Sequence, residues 1–291
     1  MRDNLHRIMF EAKKYSIPIY ISDNSLDDQT KKIVTQLSLS YDFLFYEKNL
    51  KDVGNDKNIL YSLGLPKSDY VWLLGDALEI YPFAFKKIIN IIEKYEPDLI
   101  AVNSVGRDLH YKEGVHSHIE VFLNLGWHLT LTGATIYSRD AINSIDRNKI
   151  LKSENFPQMP LIFNYLACRK RLYWVNDKVI VSSKKKKSYW VAKVFSIFIK
   201  DWSYAVYALS DSYDNKFKRE VVLQHSHKTN IFGFKSLVSI RLKKAYDYKV
   251  LSKYKNLLVD HSNLNYLVLF LIAIFPVFIL KHIRNAYTKF N

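Results

Sequence analysis

Apolar residues recur at helical spacing in segment 5–15, where Leu5, Ile8, Met9 and Ala12 fall on one face. A short β-rich run, IPIYIS (17–22), comes next. A second helix is expected over 27–39, opened by acidic residues that suit a helix N-terminus. YDFLFYEK (41–48) reads as a strand. NDKNILYSLGLP (55–66) reads as a helix closed by Gly64 and Pro66. YVWLLG (70–75) is continuously apolar, the pattern of a central strand covered on both faces. A helix starting at Pro82 (82–97) and a strand, DLIAVNS (98–104), complete a β-α-β-α rhythm. That rhythm predicts an α/β fold with a mostly parallel sheet flanked by crossover helices.

The second half is less regular. Segment 116–145 reads as a helix or loop, a strand near Thr130–Tyr137, then another helix. NFPQMPLIFNYLACRK (155–170) predicts a helix with a Phe-Pro entry, and RLYWVNDKVIVSS (171–183) a strand or hairpin. Residues 188–260 read as helical and aromatic-rich. YLVLFLIAIFPVFIL (266–280) is apolar throughout and is followed by Lys281, His282 and Arg284. Fifteen helical residues reach about 22 Å, short of the roughly 30 Å hydrocarbon core, and Pro276 would kink them. A helix lying in the membrane interface or dipping into one leaflet is therefore expected, with a core or dimerisation helix as the alternative. Three segments are expected: 1–183, an α/β domain; 184–260, a helical, basic extension; and 261–291, a membrane-associating helix and tail.

The formal net charge of +15 points to an anionic partner. Its basic clusters, Lys184–Lys187 and RLKKAYDYKVLSKYK (241–255), lie in the C-terminal half beside the apolar segment, a pattern that suits an anionic membrane surface. No nucleic-acid module is recognisable, so nucleic acid is not expected as a partner. The single cysteine, Cys168, excludes an internal disulfide. Residues 1–16 are polar, so no secretory leader is expected. There is no GxSxG and no P-loop. The pairs His116/His118 and His225/His227 lack the further ligands that a zinc site needs.

Candidate chemistry gathers at the C-terminal ends of three predicted strands, where open α/β sheets bind ligands. Asp23 and Asn24 follow the first. Asn49, Gly54 and Asn58 follow the second, and Asp76 the third. Asp23 and Asp76 could equally serve as turn or capping residues.

YISDNSLDDQT resembles the DNxSxDxT-type segment of family 2 glycosyltransferases, which have the GT-A fold. The NxxxxGxxxN spacing of Asn49, Gly54 and Asn58, DYVWLLGD, and GWHLTLTGATIYSRDAI resemble their later elements in the members that build bacterial surface polysaccharides. The resemblance covers roughly residues 4 to 170. It implies a GT-A-like fold whose first strand is not in this chain, since the chain opens on a helix. It implies that Asp23, with Asn24 and Asn58, contacts the donor nucleotide. It implies that Asp76 is the first acid of a metal motif holding Mg²⁺ or Mn²⁺ against the diphosphate. The next acid is replaced by Ala77 and Leu78, leaving Glu79 as the nearest substitute. Glu154 would be the general base that deprotonates the acceptor hydroxyl, although an acid at a helix N-terminus is also a dipole-stabilising residue. Trp127 and His128 would line the acceptor side, or else belong to the core. The implied protein is an inverting glycosyltransferase at the cytoplasmic face of the cell membrane. It would use a nucleotide-sugar and a lipid-linked or saccharide acceptor to build capsule, O-antigen or exopolysaccharide. A catalytically impaired homologue serving as a binding or scaffold subunit is the alternative.

Overall fold

A computed structural model of the chain describes residues 2–107, 109–168, 170–182 and 189–282. The lysine block 184–187 and Arg284 lie outside the described residues. The chain divides into two compact units, Met1–Lys186 with Ala208–Tyr213, and Lys187–Tyr207 with Asp214–Asn291.

The first unit opens with α1 (Arg2–Lys13), β1 (Ile19–Asp23), α2 (Gln29–Ser38) and β2 (Leu44–Lys48). β1 and β2 pair in parallel, Asp23 opposite Lys48. Leu5, Met9 and Ala12 of α1 and Val34 and Leu37 of α2 form a small core, with Ile19 and Ile21 packed against it. The apolar spacing that predicted α1 is thus the spacing of its buried face. α3 (Asn55–Gly64) follows, buried through Ile59, Leu60 and Leu63.

β3 (Tyr70–Trp72), β4 (Leu78–Ile80), α4 (Phe83–Tyr95) and β5 (Leu99–Ser104) come next, then β6 (Gly114–His116), α5 (His118–Leu125), β7 (Thr135–Ser138), α6 (Arg139–Asn143), α7 (Arg147–Ile150), α8 (Gln158–Leu166) and β8 (Leu172–Ser182). Their strands form a six-stranded sheet in the order β3-β7-β5-β8-β4, with β6 also on β8. Only β5 and β8 pair in parallel; β3–β7, β5–β7, β4–β8 and β6–β8 are antiparallel. The expected mostly parallel sheet is corrected to a mixed one, because β7 runs back between β3 and β5.

The expected central strand at 70–75 is also corrected. β3 is three residues long and stands at the end of this sheet's order. The central strand is β5, buried at all six positions. β8 (Leu172–Ser182) is one long strand rather than a hairpin, with register shifts opposite Val102 to Ser104. Phe122 and Phe163 meet edge-to-face at 5.1 Å and both pack on Tyr213, whose hydroxyl donates to the Phe163 carbonyl.

The second unit holds α9 (Trp202–Tyr207), α10 (Asn215–Thr229), α11 (Phe234–Leu242), α12 (Tyr248–His261) and α13 (Tyr266–Ile274). Leu237 and Ile240 of α11, Leu251 and Leu258 of α12, and Leu269, Ile272 and Ala273 of α13 share one core around Phe195, Phe232 and Tyr246. The boundary expected at 260/261 therefore has no counterpart in the packing. Among the described residues no helix is long and apolar enough to cross a membrane. Phe275, extended at ψ 136°, ends α13 one residue before Pro276, as expected for a residue that precedes proline.

Candidate active site

The parallel pairing of β1 and β2 places Asp23 and Lys48 at one edge, and the Asn49 N–H continues the ladder to the Asp23 carbonyl at 2.9 Å. A chain of amides runs across that edge. Asn58 Oδ1 accepts from Ser22 Oγ (2.6 Å) and from Asn49 Nδ2 (2.8 Å). Asn24 Oδ1 accepts from Asn49 Nδ2 (3.2 Å) and from the Val53 N–H (3.0 Å), and Asn24 Nδ2 donates to Asp52 (2.6 Å). Gly54, at φ +80°, makes the left-handed turn into α3 that an L side chain would resist. It caps α3 without a side-chain bond, so the first N–H groups of the helix end beside the amide chain.

Asp23 is buried, 4% exposed, and both of its oxygens are engaged. Oδ1 accepts from the Ser25 N–H (2.9 Å) and Oδ2 from the Tyr46 hydroxyl (2.8 Å). Burial pushes the Asp23 carboxyl up, but bonds from Ser25 and Tyr46 and the charge of Lys48 outweigh it and hold it below the usual range. Burial and Asp23 together raise Tyr46 to about 12. Asp23 thus anchors the turn that presents Asn24.

Glu154 reaches the same end through its neighbour. Asn155, at φ 64°, donates its N–H to Asp56 Oδ2 at 2.8 Å, across 99 positions of sequence. Asp56 stands in the first turn of α3. Burial raises the Asp56 carboxyl and the nearby charge of Glu154 raises it further, against the bonds from Asn155 and Asn55. Glu154 itself is exposed. The two carboxyls therefore stand close, one held by the backbone and one open to solvent. Replacing Asp56 by alanine should release the 154–155 turn and lower turnover of any reaction that uses Glu154 by about 10²-fold, the scale of a misplacement near 1 Å. Asp56→Asn, which keeps an acceptor oxygen, should retain most of the activity. Equal losses in the two variants would mean that the carboxylate charge, not the bond, matters.

Asp76 lies on the exposed turn between β3 and β4, where its carbonyl is 3.4 Å from Asn4 Nδ2 of α1. Glu79 does not join it as a ligand: its carboxylate is paired with Arg7 at 2.7 Å. Leu78 is buried against Gly133, where a Cβ would sit 2.1 Å from Leu78 Cδ1. The apolar residue in place of an acid is therefore a packing residue, fitted to a bare glycine. No group of three or more His, Cys, Asp or Glu among the described residues is arranged to hold a metal ion. The described residues at this corner do not fit a metal motif of the expected kind.

Trp127 and His128, expected either on the acceptor side or in the core, belong to the core, 2% and 0% exposed. His128 Nε2–H donates to the Val102 carbonyl (2.9 Å). The Arg107 guanidinium donates to the carbonyls of Trp127 (3.2 Å) and His128 (2.8 Å) and lies over the Trp127 ring. Burial pushes Arg107 down to about 10, and burial with the Arg107 charge pushes His128 down to about 3.

Sequence reasoning missed Ser22, Tyr46, Asp52, Asp56 and Arg107. Asp56 carried a signal, an acid in the first helical turn after a glycine, but its partner is distant in sequence. Nothing local marked Tyr46 or Arg107.

The mixed α/β fold resembles those of solved glycosyltransferases. The mannosyltransferase PcManGT of Pyrobaculum calidifontis, solved with GDP-Man and Mn²⁺, superposes with a TM-score of 0.55 at 10% identity over 99% of this chain and 83% of that one. S. aureus TarS in complex with UDP superposes with a TM-score of 0.53 at 16% identity, covering 83% of this chain and 76% of that one. In sequence, the abequosyltransferase RfbV of Salmonella typhimurium is 38% identical over 71 residues, 23% of this chain and 21% of that enzyme. The aligned stretch thus spans about a fifth of the curated relative it matches. No protein-family model matches the chain.

Proposed function

We propose that this protein is a glycosyltransferase that moves a sugar from a nucleotide-sugar to a lipid-linked or saccharide acceptor in bacterial surface polysaccharide synthesis. It would work at the cytoplasmic face of the cell membrane. The observation that carries the reading is the Asn155–Asp56 hydrogen bond, which brings the acidic residue before α8 to the same end as the amide chain of β1, β2 and α3. Solved neighbours hold UDP and GDP-Man, and RfbV is by name a sugar transferase; both support the reading.

Asn24, Asn49 and Asn58 offer amide donors and acceptors suited to a base and ribose, on the turn that Asp23 anchors. The N-terminal N–H groups of α3 favour negative charge. Glu154 takes the proton of the acceptor hydroxyl. The acceptor oxygen then forms its bond to the anomeric carbon as the bond to the nucleoside diphosphate breaks, which inverts the configuration. A divalent cation would meet only Asp76 from the expected motif, so the reading gives it no step. Calorimetry with UDP and GDP, each with Mn²⁺ and with a chelator, is the test. One nucleotide should bind, at least tenfold more weakly to Asn58→Ala, and Mn²⁺ alone should not bind at micromolar concentration. Failure of both nucleotides to bind under either condition would overturn the proposal.

A further inference from the structure

The second unit carries an apolar face that its own core does not use. α13 buries Leu269, Ile272 and Ala273, which fall at i, i+3 and i+4. On its other side Leu267, Leu271 and Ile274, at i, i+4 and i+7, are 63%, 47% and 47% exposed. Beyond Pro276 the chain turns helical again over 277–282 and exposes Phe278. A helix apolar on both sides has two partners, and only one of them is in this chain's described residues.

Its surroundings indicate the second. Lys255 lies over the Tyr266 ring, 4.9 Å from its centroid, at the N-terminal end of α13. Lys281 and His282 are exposed just past the stripe. Residues 189–282 hold fourteen Lys and Arg against six Asp and Glu. Cations and a tyrosine at the rim of an apolar stripe match the headgroup layer of an anionic bilayer, where long cationic side chains reach phosphate while the stripe enters the acyl boundary. Self-pairing of the stripe would instead bring Lys255 and Lys281 of one copy toward a second copy with the same rim charges.

We infer that Leu267, Leu271, Ile274 and Phe278 form an in-plane anchor to anionic lipid, with Lys255 and Lys281 supplying its charge selectivity. This rests on the reading that the acceptor is membrane-borne, and it names the surface that meets that membrane. The helix lies on the bilayer without crossing it.

Flotation of the full chain with vesicles of phosphatidylcholine, with and without about 30% phosphatidylglycerol, tests this. Binding should rise at least tenfold with the anionic lipid. Leu267→Ser with Leu271→Ser should lower it at least tenfold on both vesicles. Lys255→Gln with Lys281→Gln should remove the preference for phosphatidylglycerol while leaving residual binding. Unchanged thermal unfolding should show that the exposed positions were altered without loss of the core. Wild-type binding by the serine variant would overturn the inference. So would a dimer in lipid-free buffer that this variant dissociates, since a second copy would then cover the stripe. Nucleoside diphosphate binding, measured on the same preparations, reports on the transferase reading independently of either result.

Discussion

Glu154→Gln should lower the transfer rate by about 10²–10⁴-fold, the range for loss of a positioned general base, with nucleoside diphosphate binding unchanged. The expectation follows from placement. Glu154 is exposed, and the turn that carries it is pinned by the Asn155–Asp56 bond. Its side chain is therefore not part of the core, and Gln has nearly its shape. What changes is the ability to take a proton. The loss should appear in kcat at saturating donor. Single-turnover kinetics with a radiolabelled donor would measure it. A variant with full activity would leave Glu154 as a residue that only complements the N-terminal end of α8.

The second large effect is on stability in mild acid. His128 is fully buried in the first unit; its Nε2–H is donated to Val102, and Nδ1 has no partner among the described residues. Burial, then the charge of Arg107, lowers its folded pKa to about 3, against about 6.5 for an exposed imidazole. His261, in the second unit, is lowered to about 4 by burial and by His227. Above pH 6.5 both residues are neutral whether folded or unfolded, and neither affects stability. As pH falls below 6.5 the unfolded chain binds protons that the folded chain refuses. Each histidine then removes about 1.4 kcal/mol of stability per pH unit until its folded pKa is reached. Between pH 6.5 and 4.5 His128 alone should cost about 2–3 kcal/mol, a large share of a typical domain's stability. Urea titrations at both pH values should show the first unit's midpoint falling steeply. His128→Gln, which cannot take the proton, should flatten that fall whatever its effect at neutral pH. A wild-type midpoint that does not move across this range would mean that His128 can be protonated in the folded state.

The sequence by itself determined the local elements of roughly the first 65 residues. Leu5, Met9 and Ala12 recur every three or four positions because one face of α1 is buried, and that period is written in neighbouring residues. Pro66, which has no N–H to donate, ends α3 just past Leu65, and Gly64 lies in the helix's last turn. Asn24, Asn49 and Asn58 were legible as residues at or facing strand ends, a position set by the same local pattern, and the structure joins them by hydrogen bonds.

Only the tertiary structure decided which strands pair and which polar residues meet. Pairing depends on contacts far apart in sequence, so nothing within 70–75 could show that β3 pairs with β7 at the end of the sheet's order. Nothing within 98–104 could show that β7 and β8 run in opposite directions on the two sides of β5. The same limit holds at the site. Trp127 and His128 read equally as acceptor or core residues until Val102 and Arg107 are seen to hold them in the core. Glu79 reads as a ligand until Arg7 pairs with it. Asp56, which the sequence reading passed over, accepts a hydrogen bond from Asn155, 99 positions away. The charge and burial of such a side chain are set by neighbours that only folding brings into contact, and its chemistry follows from them.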